Sequence, residues 1–89
     1  MAQLIFTQQL ARFTSAPEVH SGAALLRPAL EHAFAANPLL RGYVLDERGH
    51  LRENVVIFID GRRARDPKRL DDVLQAQSKV YILQALSGG

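Results

Sequence analysis

The sequence has 89 residues, of which 47% are hydrophobic and 22% are charged, a composition that excludes a disordered chain and leaves room for one modest domain. The formal net charge is +2, so charge alone gives no reason to expect a nucleic-acid partner. There is no cysteine, which excludes disulfides, cysteine–zinc sites and a cysteine nucleophile.

The chain carries no pattern typical of a targeting or membrane segment. Residues 1–6 lack the basic start and long apolar run of a signal peptide. No later apolar run is long enough to span a bilayer. We therefore expect a cytoplasmic protein with no membrane partner.

The first quarter of the chain predicts two short strands and a loop. Residues 4–6 have strand composition, and a hairpin through residues 7–9 would lead into a second extended piece at residues 10–13. Residues 15–23 contain Ser, Pro and Gly in close succession and predict a loop.

Residues 25–38 predict the one clear helix. Its apolar positions recur every three or four residues and form a stripe of Leu26, Leu30, Ala33 and Phe34. Pro28 fits the first turn, where its missing N–H has no intrahelical acceptor in any case. The pair Asn37-Pro38 ends the helix, because a residue before proline is disfavoured in helical geometry.

The middle of the chain predicts strands around a turn. Residues 42–45 predict a short strand, and residues 46–50 a polar turn around Gly49. Residues 55–59 are all β-branched or aromatic and are apolar on both faces, which predicts a central strand. Asp60-Gly61 then predicts a tight turn.

The last third predicts a polar connection and a final strand. In the connection, we expect Leu70, Val73 and Leu74 to dock a short helical turn on the core. Residues 79–86 form the last strand, which would run parallel to the first at the centre of the sheet. The predicted fold class is α+β, with a mixed sheet of four to five strands and one main helix packed on one face.

In this order, the elements resemble a ubiquitin-like β-grasp domain, and more closely the MoaD/ThiS family of small sulfur carrier proteins. The resemblance covers nearly the whole chain. It rests on LIF at residues 4–6, PALEHAF at 28–34, VVIFIDGR at 55–62, VYILQAL at 80–86 and the final Gly88-Gly89. It implies a β-grasp domain over residues 1–86 and a flexible tail over residues 87–89.

The resemblance implies a substrate of enzymes rather than an enzyme, with no cofactor of its own. An ATP-dependent activating enzyme would adenylate the carboxylate of Gly89. Sulfur transfer would then give a thiocarboxylate that donates sulfur in cofactor or metabolite biosynthesis. Gly88 and Ser87 would be threaded into the activating enzyme, and glycine suits a narrow channel because its backbone can approach closely.

The implied partners are a ubiquitin-activating-type adenylating enzyme and a sulfurtransferase or biosynthetic synthase. In this family the activating enzyme docks on the open face of the sheet. The apolar residues of the two late strands are therefore the docking candidates: Ile57, Phe58, Ile59, Tyr81 and Leu83. Their side chains alternate between the faces, but the sequence does not give the register.

Two other functions stay open at this point. The first is a ubiquitin-like modifier, in which Gly89 forms an isopeptide bond with a target lysine and a deconjugating peptidase reverses it. The second is a non-covalent binding module that uses the sheet or the basic segment 62–69, RRARDPKR, against an acidic partner.

Nucleic-acid and metal binding are not expected. Asp71 and Asp72 follow the basic segment, and no aromatic residues interleave with it for base stacking, so it predicts a solvated loop. His20, His32 and His50 lie far apart in the sequence without the spacing of a metal site.

Overall fold

The computed structural model describes residues 1–7, 10 and 18–84, and this part of the chain contains a five-stranded mixed sheet and two helices. The strands are β1 (Ala2–Phe6), β2 (Glu18–Ser21), β3 (Val55–Ile59), β4 (Arg62–Arg63) and β5 (Lys79–Gln84). The helices are α1 (Leu26–Ala36) and α2 (Pro38–Val44). The predicted α+β class, with its main helix on one face of a mixed sheet, is confirmed.

The first and last strands form the central pair of the sheet. The strand order is β2-β1-β5-β3-β4, and β1 runs parallel to β5 with Leu4 opposite Val80. β2 is antiparallel to β1, and β3 is antiparallel to β5. β3 lies inside the sheet as predicted, although only the two-residue β4 covers its outer side.

The core lies between the sheet and α1. Alternate residues of the central strands face the helix, so that Leu4, Ile57 and Ile82 are fully buried. The predicted helical stripe is buried as well: Leu26, Leu30, Ala33 and Phe34. Burial of each large aliphatic side chain contributes about 1.5–3 kcal/mol, which explains why this pattern dominates the fold.

The first turn of α1 is capped by backbone carbonyls from a distant segment. Leu25 precedes the helix in an extended conformation and makes no side-chain cap. Instead, the N–H of Leu26 donates to the carbonyl of Asp72, and the N–H of Arg27 to that of Leu70, both at 2.9 Å. Pro28 has no N–H and needs no acceptor, so the predicted start of the helix is confirmed.

The capping segment, residues 70–74, is not helical, so the short helical turn predicted to dock through Leu70, Val73 and Leu74 is wrong for these residues. A turn precedes them, in which the N–H of Leu70 donates to the carbonyl of Asp66 at 2.9 Å. Val73 forms a single antiparallel bridge with Leu25, and the N–H of Leu74 donates to the carbonyl of Ala24 at 2.8 Å. Leu70 and Leu74 are buried, so the expected contact with the core is present. This non-helical backbone leaves the carbonyls of Leu70 and Asp72 available as acceptors for the start of α1.

Residues 38–44 form a helix, and the strand predicted at residues 42–45 is wrong. Pro38 occupies the first turn of α2, where proline is favoured. Leu40 and Val44 are four residues apart and both are fully buried. Burial of this pair on one helical face outweighs the strand propensity of Tyr43 and Val44.

β2 lies inside the segment that the sequence predicts as a loop. Residues 18–21 pair with β1, and Ser21 is buried opposite Ala2. Leu10, expected in a strand, donates its N–H to the carbonyl of Thr7 at 3.2 Å in a turn. The rest of the extended piece predicted at residues 10–13, and residues 8–9 of the predicted hairpin, lie outside the described residues.

The turns predicted at residues 46–50 and at Asp60-Gly61 are confirmed. In the turn at residues 46–50, one carboxylate oxygen of Asp46 accepts the N–H groups of Arg48 and His50 at 2.8 and 3.0 Å. At the end of β3, Asp60 and Gly61 have φ of 51° and 84°. Two consecutive left-handed residues match the twist of a two-residue hairpin, and glycine adopts this conformation without steric cost.

Candidate functional site on the open face of the sheet

The face of the sheet away from α1 carries an apolar patch. Tyr81 stands opposite Ile5 on one side and opposite Phe58 on the other, and Leu83 stands opposite Val56 in the next row. We call these five residues the open-face patch. Phe58 and Tyr81 are 36% and 37% exposed, and the other three are half-buried. Large apolar groups thus remain in contact with water on this face.

The structure separates the five predicted docking residues into two groups. Phe58, Tyr81 and Leu83 lie in the open-face patch, where their docking role stays a prediction. Ile57 and Ile59 face α1 and are only 0% and 9% exposed. They are core residues that a partner cannot reach while the protein is folded, because successive side chains on a strand point to opposite faces.

The sequence prediction missed Ile5 and Val56. Both belong to strands that were predicted, but their place in the patch follows from the register, in which Ile5 pairs with Tyr81 and Val56 with Leu83. Strand alternation alone gives two faces without saying which one the helix covers. Only the pairing of β1 with β5 brings Ile5 into this patch.

The patch has a mixed polar rim. Arg63 stands opposite Phe58, and Glu18 stands opposite Ile5. The row beside Tyr81 is polar and consists of His20, Gln3 and Lys79. An apolar centre within a charged rim is the usual composition of a protein–protein contact surface.

Asp60 ties the β3–β4 turn to the start of β5 beside the patch. Its carboxylate accepts the N–H of Lys79 at 2.9 Å and the hydroxyl of Ser78 at 2.7 Å. The hydrogen bond from the Lys79 backbone, and then the one from Ser78, hold the pKa of Asp60 below its ordinary value of 3.8. The ionised carboxylate therefore helps to fix the register that sets Phe58 beside Tyr81.

The predicted reactive tail lies outside the described residues. Ser87, Gly88 and Gly89 have no structural account, and neither do the last two residues of the strand predicted over 79–86. The last described residue, Gln84, stands opposite Val55 and follows Leu83 of the patch. Five residues, 85–89, follow Gln84. They span at most about 18 Å, so a single partner surface can reach both the patch and Gly89.

Comparisons with known proteins place this architecture among solved structures. A scan against protein-family models and a search of curated proteins found no match. SAMP1 from Haloferax volcanii matches with a TM-score of 0.82 at 22% identity, over 99% of this chain and 98% of that chain. A chain of the Amycolatopsis orientalis BexX/CysO complex matches with a TM-score of 0.84 at 14% identity, over 100% of both chains.

A third match extends the comparison. Urm1 from Sulfolobus solfataricus has a TM-score of 0.70 at 18% identity, over 92% of this chain and 97% of that chain. The fold is the ubiquitin-like β-grasp. The β-grasp fold expected from the sequence is thus confirmed, and at these identities the similarity is one of fold.

The described residues contain no candidate metal cluster and no candidate membrane-spanning helix. Within residues 1–7, 10 and 18–84, no group of three His, Asp or Glu side chains could hold a metal ion. His32 instead contacts the buried Ser21, with 2.6 Å between Nδ1 and Oγ. Over the same residues, neither helix has the length and apolar character needed to cross a membrane.

Proposed function

We propose that this chain is a sulfur carrier protein whose C-terminal carboxylate, on Gly89, is adenylated and then converted to a thiocarboxylate. The observation that carries the proposal is a β-grasp sheet whose central last strand leads towards Gly88-Gly89, with the open-face patch beside its last described residue. The similarity in fold to SAMP1 and to the BexX/CysO complex supports it.

The proposed chemistry makes an inert carboxylate reactive in two steps. A carboxylate oxygen of Gly89 attacks the α-phosphorus of ATP, forming an acyl adenylate and releasing pyrophosphate. Hydrosulfide, delivered by a sulfurtransferase, then attacks the carbonyl carbon, displaces AMP and loses its proton. The thiocarboxylate so formed passes its sulfur to a biosynthetic synthase. The chain acts as a substrate throughout, and the adenylating enzyme supplies the catalytic groups.

Docking and threading are assigned to different parts of the chain. Phe58, Tyr81 and Leu83 would contact the adenylating enzyme through the open-face patch. Ser87 and Gly88 would enter its active site, because side chains at the last positions would obstruct a narrow channel. We propose that this chemistry takes place in the cytoplasm, in the same compartment as the ATP-dependent adenylating enzyme.

The experiment is an intact-mass measurement on the chain purified from its native host, with and without a thiol-alkylating reagent. We expect a species heavier by the difference between sulfur and oxygen. It should be alkylated although the chain has no cysteine. The measurement also establishes that Gly89 is the terminal residue of the mature chain.

The matched control is the chain lacking Gly89, produced in the same host. It should show neither the mass increase nor the alkylation. The same alkylated species in both chains would contradict the proposal, because the sulfur would then be attached elsewhere.

The second candidate is a ubiquitin-like modifier, and the similarity to SAMP1, a small archaeal modifier protein, favours it. In this case, the lysine amine of a target protein displaces AMP and forms an isopeptide bond with Gly89, which a deconjugating peptidase can cleave. The same measurement separates the two functions. Larger species that contain this chain joined through Gly89 to a lysine would establish the modifier.

A further inference from the structure

The two edges of the sheet differ in how well they are protected against pairing with another strand. One edge is β4, which has two residues, both of them exposed arginines. A second copy of β4 beside it would bring arginine opposite arginine, and short, charged edge strands are a common protection against such pairing. The other edge is β2, which has four residues and contains neither proline nor lysine.

The hydrogen bonds of β1 show which backbone groups of β2 point outward. The N–H of Gln3 donates to the carbonyl of Ser78 at 2.9 Å, so the backbone groups of Gln3 point towards β5. Because successive residues of a strand alternate in direction, the groups of Leu4 point towards β2. Val19 stands opposite Leu4 and therefore points its N–H and C=O inward, towards β1.

Glu18 and His20, on either side of Val19, consequently point their N–H and C=O groups away from the sheet. Within residues 1–7, 10 and 18–84, no strand pairs with this outer side of β2. The side chains of Glu18 and His20 are exposed and lie on the open face, opposite Ile5 and Gln3. The outer side of β2 can therefore accept a further strand.

The sequence of β2 is complementary to itself in one antiparallel register. With Val19 opposite Val19 of a second copy, each Glu18 stands opposite the His20 of the other copy. These are the residues whose backbone groups point outward, so each such pair exchanges two N–H···O=C bonds. The side chains match as well, because a carboxylate accepts an imidazole N–H across the strands. One oxygen of Glu18 accepts an amide N–H of Gln3 at 2.9 Å, which leaves the other oxygen for this contact.

We propose that two copies of this chain associate through β2 and form one continuous sheet, with five strands from each copy. The two-fold axis passes between the two Val19 residues on the helix side, and the Glu18–His20 pairs lie on the open face. The pairing does not use the open-face patch, so the inference does not rest on the proposed function. Because β2 is short, the buried area is small and the dimer is transient.

The first test is sedimentation equilibrium of the full chain between about 10 µM and 1 mM, where the average mass should rise towards that of a dimer. His20→Pro removes an outward N–H and no hydrogen bond to β1, a change that the outer side of an edge strand tolerates. It should weaken association about tenfold, because each copy loses a donor and leaves an acceptor unpaired. A chain that stays monomeric throughout, or equal association of the variant, would overturn the proposal.

A charge exchange tests the register without altering any backbone group. His20→Glu alone places carboxylate opposite carboxylate and should weaken association about five- to tenfold. The double variant Glu18→His/His20→Glu restores unlike partners and should associate like the original chain. Phe58→Asp/Tyr81→Asp, in the open-face patch, is the matched control and should also associate normally. Loss of the dimer in the patch variant, or no recovery in the exchanged variant, would contradict pairing through β2.

The lack of cysteine in the chain allows a direct test of the two-fold axis. In the proposed register the two Val19 residues form a non-hydrogen-bonded pair with Cα atoms about 4.5 Å apart, a distance that a disulfide spans. Val19→Cys in a glutathione redox buffer should therefore give a covalent dimer. Ala64→Cys is the matched control, because Ala64 is also half-buried against the core but follows β4 at the opposite edge. Equal cross-linking of the two variants would overturn the proposal.

Discussion

Arg27 is the residue that ties α1 to two separate loops. Its Nη2 donates to the carbonyl oxygens of Gly49 and Lys68 at 3.0 and 2.7 Å, and its Nε donates to that of Arg69 at 3.2 Å. A planar guanidinium presents these donors in a fixed arrangement that a lysine ammonium does not reproduce. One side chain thus holds both the turn at residues 46–50 and the backbone at residues 68–69.

Replacing Arg27 with Met should lower the free energy of unfolding by about 2 kcal/mol, because three carbonyls lose a charged donor while the aliphatic stem is kept. Urea denaturation at neutral pH measures this. Arg48→Met serves as the control and should change stability by less than about 0.5 kcal/mol, since its side chain is exposed. Equal effects of the two substitutions would contradict the role given to Arg27.

Asp60 makes stability depend on pH at the acid end. Its pKa in the folded protein is lowered by the N–H of Lys79 and the hydroxyl of Ser78. A lowered folded pKa stabilises the folded state above the unfolded pKa, and this contribution disappears as pH falls through the folded value. We therefore expect Asp60→Asn to lose stability at neutral pH and to show a shallower decline below about pH 4.

Urea midpoints between about pH 2 and pH 6 test this for the original chain and the variant. The two curves should converge at the acid end. Glu47→Gln is a suitable control, because Glu47 is an exposed turn residue. Parallel curves for the original chain and Asp60→Asn would show that Asp60 has no role in the acid transition.

Among the elements, the segment at residues 70–74 that caps α1 depends on an unusual backbone conformation. Leu70 has φ of 52° and is fully buried, so a side chain that fills the core is held in the left-handed region. This region disfavours residues with a Cβ by roughly 1–2 kcal/mol. Burial of the leucine outweighs that cost and keeps its carbonyl aimed at the N–H of Arg27.

At Leu70, the usual order of core truncations should be reversed. Leu70→Ala should cost about 2–5 kcal/mol. Leu70→Gly should cost no more, because glycine relieves the left-handed strain while losing a single further methyl group. At the buried Leu74 in the same segment, which lacks positive φ, Gly should be worse than Ala. Denaturant unfolding of the four variants measures this, and the same order at both sites would contradict it.

The elements that the sequence predicted well are those with a strong internal period. The helical spacing of the apolar residues in α1 and the apolar run of β3 are visible in the sequence. The Asp60-Gly61 turn is predictable because its two residue types favour the positive φ angles that the turn requires. β2 is a four-residue strand held by its pairing with β1, among Ser and Gly residues that favour a loop. β2 therefore depends on tertiary contacts, which a local sequence pattern does not predict.

Helix α2, which the sequence predicted in part as a strand, also shows that local propensity can be outweighed by burial. Tyr43 and Val44 have strand propensity, yet Leu40 and Val44 are buried together on a helix that begins at Pro38. The candidate site was predictable only in part for a related reason. Phe58, Tyr81 and Leu83 were identified by composition, whereas the exclusion of Ile57 needed the register.

For the molecule as a whole, the proposed function predicts that substitutions in the open-face patch and deletion of Gly89 impair adenylation in different ways. Phe58→Asp/Tyr81→Asp places charge on two exposed anchors without opening the core. It should raise the KM of the chain for its adenylating enzyme by about 10- to 100-fold, because docking is lost while the reacting group is unchanged. Deleting Gly89 should instead abolish the adenylation step at every concentration.

ATP–pyrophosphate exchange as a function of chain concentration measures both effects. Leu39→Asp is the control, because Leu39 is 70% exposed on α2, away from the open face. Unimpaired exchange with the double variant would remove the open-face patch from the docking model. That result would not bear on the role of Gly89, which the deletion tests separately.

The parallel pairing of β1 with β5 also means that the central pair of the sheet cannot form until synthesis of the chain is almost finished. A ribosome delivers β1 first and its central partner more than seventy residues later. Closing so long a loop carries an entropic cost that no local contact recovers early, which slows folding. A nascent chain that stalls before residue 79 leaves Leu4 and Phe6 without the strand that encloses them. Such a product exposes these apolar side chains and is a substrate for chaperones and proteases.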